Sequence, residues 1–119
     1  MTTRWGFLGA GYVASRALAP AVHSAPGAEL FAVASRDPIR SATLEPVRVH
    51  DTYEHLLDDA EVDAVYINLT NVQHREWVLR ALRSGKDVLC EKPLALDASE
   101  ARLMLDVARE CGRHLVEAV

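Results

Sequence analysis

The segment Trp5-Gly6-Phe7-Leu8-Gly9-Ala10-Gly11-Tyr12-Val13-Ala14 constrains the fold of this 119-residue chain more than any other stretch. It places the pattern Gly-x-Gly-x-x-Ala after a strand-like apolar run and at the opening of a helical segment. In that position Gly9 permits a tight turn, Gly11 lets backbone approach a pyrophosphate with no Cβ in the way, and Ala14 keeps helix and sheet close. Ala10, Tyr12 and Val13 complete a loop whose backbone N–H groups, at the start of a helix, face the phosphates of a dinucleotide. Taken alone the pattern also fits a plain structural turn. Its place in an N-terminal strand–helix–strand unit favours the nucleotide reading.

The rest of the chain repeats the alternation that this unit begins. Strands are predicted at Arg4 to Leu8, Leu30 to Ser35, Val47 to Val49, Ala64 to Leu69, Asp87 to Cys90 and His114 to Ala118. Helices are predicted at Tyr12 to Ser24, Tyr53 to Asp58, Gln73 to Ser84 and Ala98 to Cys111. Strands alternating with helices specify an α/β fold, here a doubly wound, mainly parallel six-stranded sheet of the Rossmann type, and the length allows one domain over residues 1–119. Asp97, Glu100 and Gly112 mark the ends of the last helix, whose inward stripe reads Ala101, Met104, Leu105, Ala108 and Cys111. Two places read poorly. Pro20 predicts a kink or early end in the first helix, and Asp37 to Pro46 leaves room for two helical turns at most.

The tip of the second strand bears on which dinucleotide is preferred, because a carboxylate there accepts hydrogen bonds from a ribose 2′-OH. This chain reads Ala34-Ser35-Arg36-Asp37. Arg36 offers a forked guanidinium to a 2′-phosphate and Ser35 a hydroxyl, so NADP is expected over NAD. In the competing reading Asp37 reaches the ribose, Arg36 is a solvated side chain, and NAD is the cofactor.

Composition removes several classes of function. Thirteen Lys and Arg against seventeen Asp and Glu give a net charge of -4, with no basic block of the kind nucleic-acid binding draws on. The longest apolar run, Leu30 to Ala34, is far too short to span a membrane, and the N-terminus lacks a signal-peptide pattern. Cys90 and Cys111 have no metal-ligand or redox spacing, and are read as reduced core thiols of a cytoplasmic protein. The acidic cluster Asp58, Asp59, Glu61, Asp63 lacks metal-loop spacing and reads as a solvated turn, so no metal is expected.

A second signature is Asp87-Val88-Leu89-Cys90-Glu91-Lys92-Pro93-Leu94-Ala95, a strand that runs into Glu-Lys-Pro. Together with the glycine loop, Asp63-Ala64-Val65-Tyr66-Ile67, His74 and Ala81-Leu82-Arg83-Ser84-Gly85-Lys86, it closely resembles the N-terminal domain of the glucose–fructose oxidoreductase, inositol dehydrogenase and rhizopine catabolism (Gfo/Idh/MocA) family. The resemblance covers essentially the whole chain. It implies hydride transfer between a nicotinamide and a carbonyl or carbinol carbon of a sugar, cyclitol or polyol-like molecule. By the same resemblance Lys92 lies beside nicotinamide and substrate as the catalytic residue, Glu91 orients backbone or cofactor groups, and Pro93 fixes the turn. His74, at the opening of a helix, lies near the cofactor with Leu69, Thr70 and Asn71. Family members commonly carry Thr-Pro-Asn in that loop, whereas this chain reads Leu69-Thr70-Asn71.

Family members continue past the equivalent of Val119 into a domain that carries the substrate pocket and further catalytic residues. This chain is therefore expected to bind cofactor without turnover, and to expose apolar surface through which it self-associates. A module that binds or senses a dinucleotide with no catalysis remains the alternative.

Overall fold

The structure, a computed structural model, describes residues 1–118. Six parallel strands lie in the order β3-β2-β1-β4-β5-β6, with β1 Thr3–Leu8, β2 Ala28–Ala34, β3 Arg48–His50, β4 Ala64–Ile67, β5 Asp87–Glu91 and β6 Leu115–Ala118. The strand order reverses direction between β1 and β4. This is the switch point of a doubly wound sheet, where the loops leaving two neighbouring strands diverge and open a crevice.

The register aligns Val33, Phe7, Tyr66, Leu89 and Val116 in one row across five strands. Val33, Phe7 and Tyr66 are fully buried, Phe7 and Tyr66 meeting edge to face with ring centroids 5.0 Å apart. Along the same row Leu89 is partly buried and Val116 is 56% exposed. The cover on this face therefore thins towards β6. The opposite face is covered by α3 Tyr53–Leu57, α4 Asn71–Arg83 and α5 Ala98–Cys111, whose apolar sides close over Leu8, Ala34, Ile67 and Cys90.

The first crossover is a π-helical turn, Ala14–Leu18, that runs into α1, Ala19–Ser24. The Ala19 N–H donates to the Ala14 carbonyl five residues back. That wider turn comes just before Pro20, which has no N–H to donate and whose ring would crowd the Arg16 carbonyl in α-helical geometry. The chain thus passes the proline by widening before it, where a kink or an early end was predicted.

Between β2 and β3 lies α2, Pro38–Thr43, with Pro38 in its first turn and Asp37 as its cap. In α5 the predicted stripe is out of phase: Leu105 is 47% exposed and Cys111 is exposed, while Val107 is buried beside Met104 and Ala108. Cys90 alone of the two thiols is in the core. Burial, with the Glu91 and Glu117 charges, pushes it up to about 12, which leaves it protonated and unreactive at neutral pH.

Candidate dinucleotide site

The crevice at the switch point is a cleft of about 460 Å³. Gly9, Ala10 and Gly11 form its floor, Ser35, Arg36, Asp37 and Arg40 one end, and Asn68, Leu69 and Thr70 the opposite wall. Tyr53 and Gln73 also line it.

Gly9 has φ +100, a conformation L side chains rarely adopt, and a Cβ there would lie 2.8 Å from the Asn68 carbonyl oxygen and 2.9 Å from Asn68 Oδ1. A Cβ on Gly11 would meet Asn68 Oδ1 at 3.3 Å. The missing Cβ of the second glycine thus also makes room for the Asn68 side chain. Asn68 holds the loop with three bonds: Nδ2 donates to the Leu8 and Gly9 carbonyls at 3.0 and 2.9 Å, and Oδ1 accepts from the Gly11 N–H at 3.0 Å.

At the β2 end the carboxylate considered for a ribose contact uses one of its oxygens to cap α2. Asp37 Oδ1 accepts from the Ile39 and Arg40 amides at 3.0 and 3.4 Å, as a helix cap does. The Ser35 hydroxyl is also held, donating to the Asp37 carbonyl at 2.8 Å and lying 2.6 Å from Ser41 Oγ. Arg36 and Arg40, four residues apart across the start of α2, are the basic groups lining this end, beside Asp37. Arg40 escaped the sequence reading although its spacing from Arg36 was visible there.

The Glu91–Pro93 turn is held from three elements. Tyr66 in β4 donates its hydroxyl to Glu91 Oε2 at 2.6 Å, and Glu91 Oε1 accepts the Lys92 N–H at 3.2 Å. Burial raises the Tyr66 phenol well above its ordinary range, and the bond to the Glu91 carboxylate adds to the shift. From α4, His74 Nδ1 meets the Pro93 carbonyl at 2.8 Å while its Nε2 meets the Leu69 carbonyl at 3.2 Å. From β6, Glu117 Oε2 accepts the Leu94 N–H at 2.7 Å. Lys92 itself is exposed, and the Lys92–Pro93 peptide bond is cis.

Seven of the predicted residues, Gly9, Ala10, Gly11, Ser35, Arg36, Leu69 and Thr70, surround one cleft. Tyr12 and Val13 open the adjoining helical turn, exposed, and Asn71 starts α4. Glu91, Lys92 and Pro93 lie outside the lining of this cleft. His74 lies outside the cleft lining: its ring is fully buried, with Nδ1 and Nε2 facing the Pro93 and Leu69 carbonyls, so it packs between the Pro93 turn and the β4–α4 loop. The acidic turn is partly an ion-pair network, with Asp59 almost covered between Arg48 and His50. Among the described residues no group of three or more potential ligands could hold a metal, and no helix is long and apolar enough to cross a membrane.

Residues 3–118 match the model of an oxidoreductase family with an NAD-binding Rossmann fold, that of glucose–fructose oxidoreductase, inositol dehydrogenase and the rhizopine catabolism protein. The chain is 42% identical over 120 residues to an uncharacterized oxidoreductase of Rhizobium meliloti, covering 98% of this chain and 36% of that one. It is also 42% identical to the dTDP-3,4-didehydro-2,6-dideoxy-alpha-D-glucose 3-reductase of Actinomadura kijaniata, covering 96% of this chain and 35% of that one. A crystal structure of a 3-ketoreductase from Actinomadura kijaniata in complex with NADP and TDP-benzene superposes with a TM-score of 0.93 at 40% identity, over 98% of this chain and 37% of that one. The chain thus spans about a third of the length of the curated relatives it matches.

Proposed function

The chain belongs to this NAD-binding Rossmann oxidoreductase family, and from that premise we propose that it is the NADP(H)-binding domain of an enzyme that moves hydride between a nicotinamide and a sugar- or polyol-like carbonyl or carbinol. The observation that carries the cofactor choice is the β2 end of the cleft. Two guanidinium groups, Arg36 and Arg40, line it while the Asp37 carboxylate caps α2. A 2′-phosphate suits that donor set, since forked guanidinium groups bind phosphate oxygens in pairs, while the Asp37 carboxylate has one oxygen committed to the helix cap. The NADP in the related 3-ketoreductase structure supports the same reading.

A bound nicotinamide supplies or accepts the hydride. This chain's residues do the rest of the cofactor-side work. Gly9, Ala10 and Gly11 keep side chains out of the pyrophosphate path, and the Tyr12 and Val13 amides at the start of the helical turn face the phosphates. Leu69, Thr70 and Asn71 flank the dinucleotide from the β4 side. Lys92, at the C-terminal end of a central strand, hydrogen-bonds through Nζ to a substrate oxygen whose charge changes as hydride moves, and holds or passes its proton. Glu91 and Pro93 set the backbone from which Lys92 extends.

Substrates of the relatives support a sugar-like partner. Lys92 is the one substrate-side group assigned among these residues, so cofactor binding without turnover is the behaviour expected of them alone. The partly uncovered row at Leu89 and Val116 is where self-association would occur. The free thiols Cys90 and Cys111 suit a reducing, cytoplasmic setting.

The test compares Arg36→Ala, Arg40→Ala and Asp37→Asn by calorimetric titration. Each arginine variant should weaken NADPH by about 1–3 kcal/mol, the scale of a charge-assisted bond, and leave NADH nearly unchanged. Asp37→Asn should keep the NADPH preference. A loss confined to NADH in Asp37→Asn would restore the ribose-hydroxyl reading and remove the proposal.

A further inference from the structure

We propose that Asn68 is a positioning residue that holds the glycine loop in its cofactor-accepting conformation before any dinucleotide arrives. The inference rests on the NADP reading above and adds to it a residue outside the glycine motif.

Strand β4 ends at Ile67, and the Asn68 N–H still donates to the Leu8 carbonyl at 3.0 Å, which fixes where its side chain starts. All three side-chain bonds then end on residues Leu8 to Gly11. Only a primary amide can make this set, because one end must donate twice while the other accepts. The same bonds fix the amide's orientation, since a flipped group would set oxygen against two carbonyls and NH₂ against an N–H. An aspartate would present oxygen to the Leu8 and Gly9 carbonyls, and a serine would be too short to reach both sides.

The geometry is also mutual. Gly9 and Gly11 are the residues whose added Cβ atoms would collide with or crowd Asn68. The glycines and the asparagine therefore form one packed unit, and the motif's spacing serves Asn68 as well as the phosphates. With its N–H held by Asn68, Gly11 is already turned, and the Ser15 N–H and hydroxyl bond the Gly11 carbonyl at 3.0 and 2.8 Å from the other side. Among the described residues the Tyr12 and Val13 amides meet no acceptor outside their helix, and in its first turn they have none within it. They are the donors the clamp leaves free. A loop locked beforehand avoids the ordering cost that binding would otherwise carry, so its release should appear as lost affinity for ligands that use the loop.

The experiment measures NADPH and 2′-AMP affinity for the parent chain, Asn68→Ala and Asn68→Asp, together with amide hydrogen exchange of the parent without cofactor. NADPH carries a pyrophosphate and 2′-AMP does not, so only NADPH should sense the loop. Asn68→Ala should weaken NADPH about tenfold or more while 2′-AMP stays within about twofold, and Asn68→Asp should lose more NADPH affinity than Asn68→Ala. In the cofactor-free parent the Gly11 amide should be protected from exchange while the Tyr12 and Val13 amides are not. Unchanged NADPH affinity in Asn68→Ala, an equal loss for NADPH and 2′-AMP, or a rapidly exchanging Gly11 amide would each overturn the inference. Should either variant fail to fold, the exchange measurement on the parent decides alone. A parent that binds neither ligand overturns the NADP reading instead, and the Gly11 amide still reports on Asn68.

Discussion

Replacing Gly9 with alanine should cost far more than replacing another positive-φ glycine, and the structure supplies its own control. Gly9 has φ +100, and an added Cβ would sit 2.8 Å from the Asn68 carbonyl oxygen, an atom fixed by its place at the end of β4. Gly112 has φ +65 as the C-cap of α5, and nothing lies within 4 Å of its Cβ position. For Gly112→Ala only the left-handed backbone matters, at about 1–2 kcal/mol. Gly9→Ala carries backbone strain of about 1–3 kcal/mol and a clash with backbone that is met only by moving the loop, typically another 1–3 kcal/mol or so. The sum is about 2–6 kcal/mol. At about 4 °C per kcal/mol for a domain of this size, the midpoint should fall by roughly 8–24 °C. Relief by shifting the loop would break the Gly11–Asn68 bond, so stability recovered that way should appear as lost NADPH affinity. Thermal denaturation followed by circular dichroism, with and without NADPH, reads both. A Gly9→Ala midpoint no lower than that of Gly112→Ala, with cofactor affinity intact, would refute the geometry.

Two further outcomes follow from the buried polar contacts. Tyr66→Phe removes the donor to Glu91 Oε2 and should lower stability by about 1–3 kcal/mol in urea denaturation, with the slope unchanged; a change of a few tenths would mean the bond contributes nothing. Burial pushes the Asp59 carboxyl up, but His50, the Glu61 N–H and Arg48 outweigh it and hold the group below the ordinary carboxylate range. A carboxyl with a depressed folded pKa stabilises the fold above its unfolded value and loses that contribution as pH falls through the folded one, so Asp59→Asn should flatten the acid limb below about pH 4. An identical acid limb in the variant would contradict the assignment.

Much of this architecture was legible in the sequence because its signals are local. Glycines at a strand-to-helix turn, apolar runs of strand length and the Asp97 and Gly112 caps each specify their own few residues, and the strand centres fall where the runs predict. What stayed hidden depends on partners distant in sequence. Asn68 has no spacing signature, since its bonds reach back 57 to 60 residues; the unusual Leu69-Thr70-Asn71 beside it was the nearest hint. His74 stood out as a histidine at a helix start, but that its ring is closed off between two carbonyls follows only from the packing of α4 against the Pro93 turn. Arg40 was hidden by doubt over α2, although Asp37-Pro38 is a cap followed by a first-turn proline. The phase error in α5 arose because periodicity fixes the width of an apolar stripe better than which edge of it meets the sheet.

The central claim is that this chain binds a dinucleotide through its glycine loop and prefers the one with a 2′-phosphate. Titrating the unaltered chain with NADPH and with NADH, by calorimetry or by the fluorescence of the reduced nicotinamide, tests it most directly. The account predicts saturable one-to-one binding of both, with NADPH the tighter. Equal affinities, a preference for NADH, or no binding of either would contradict it.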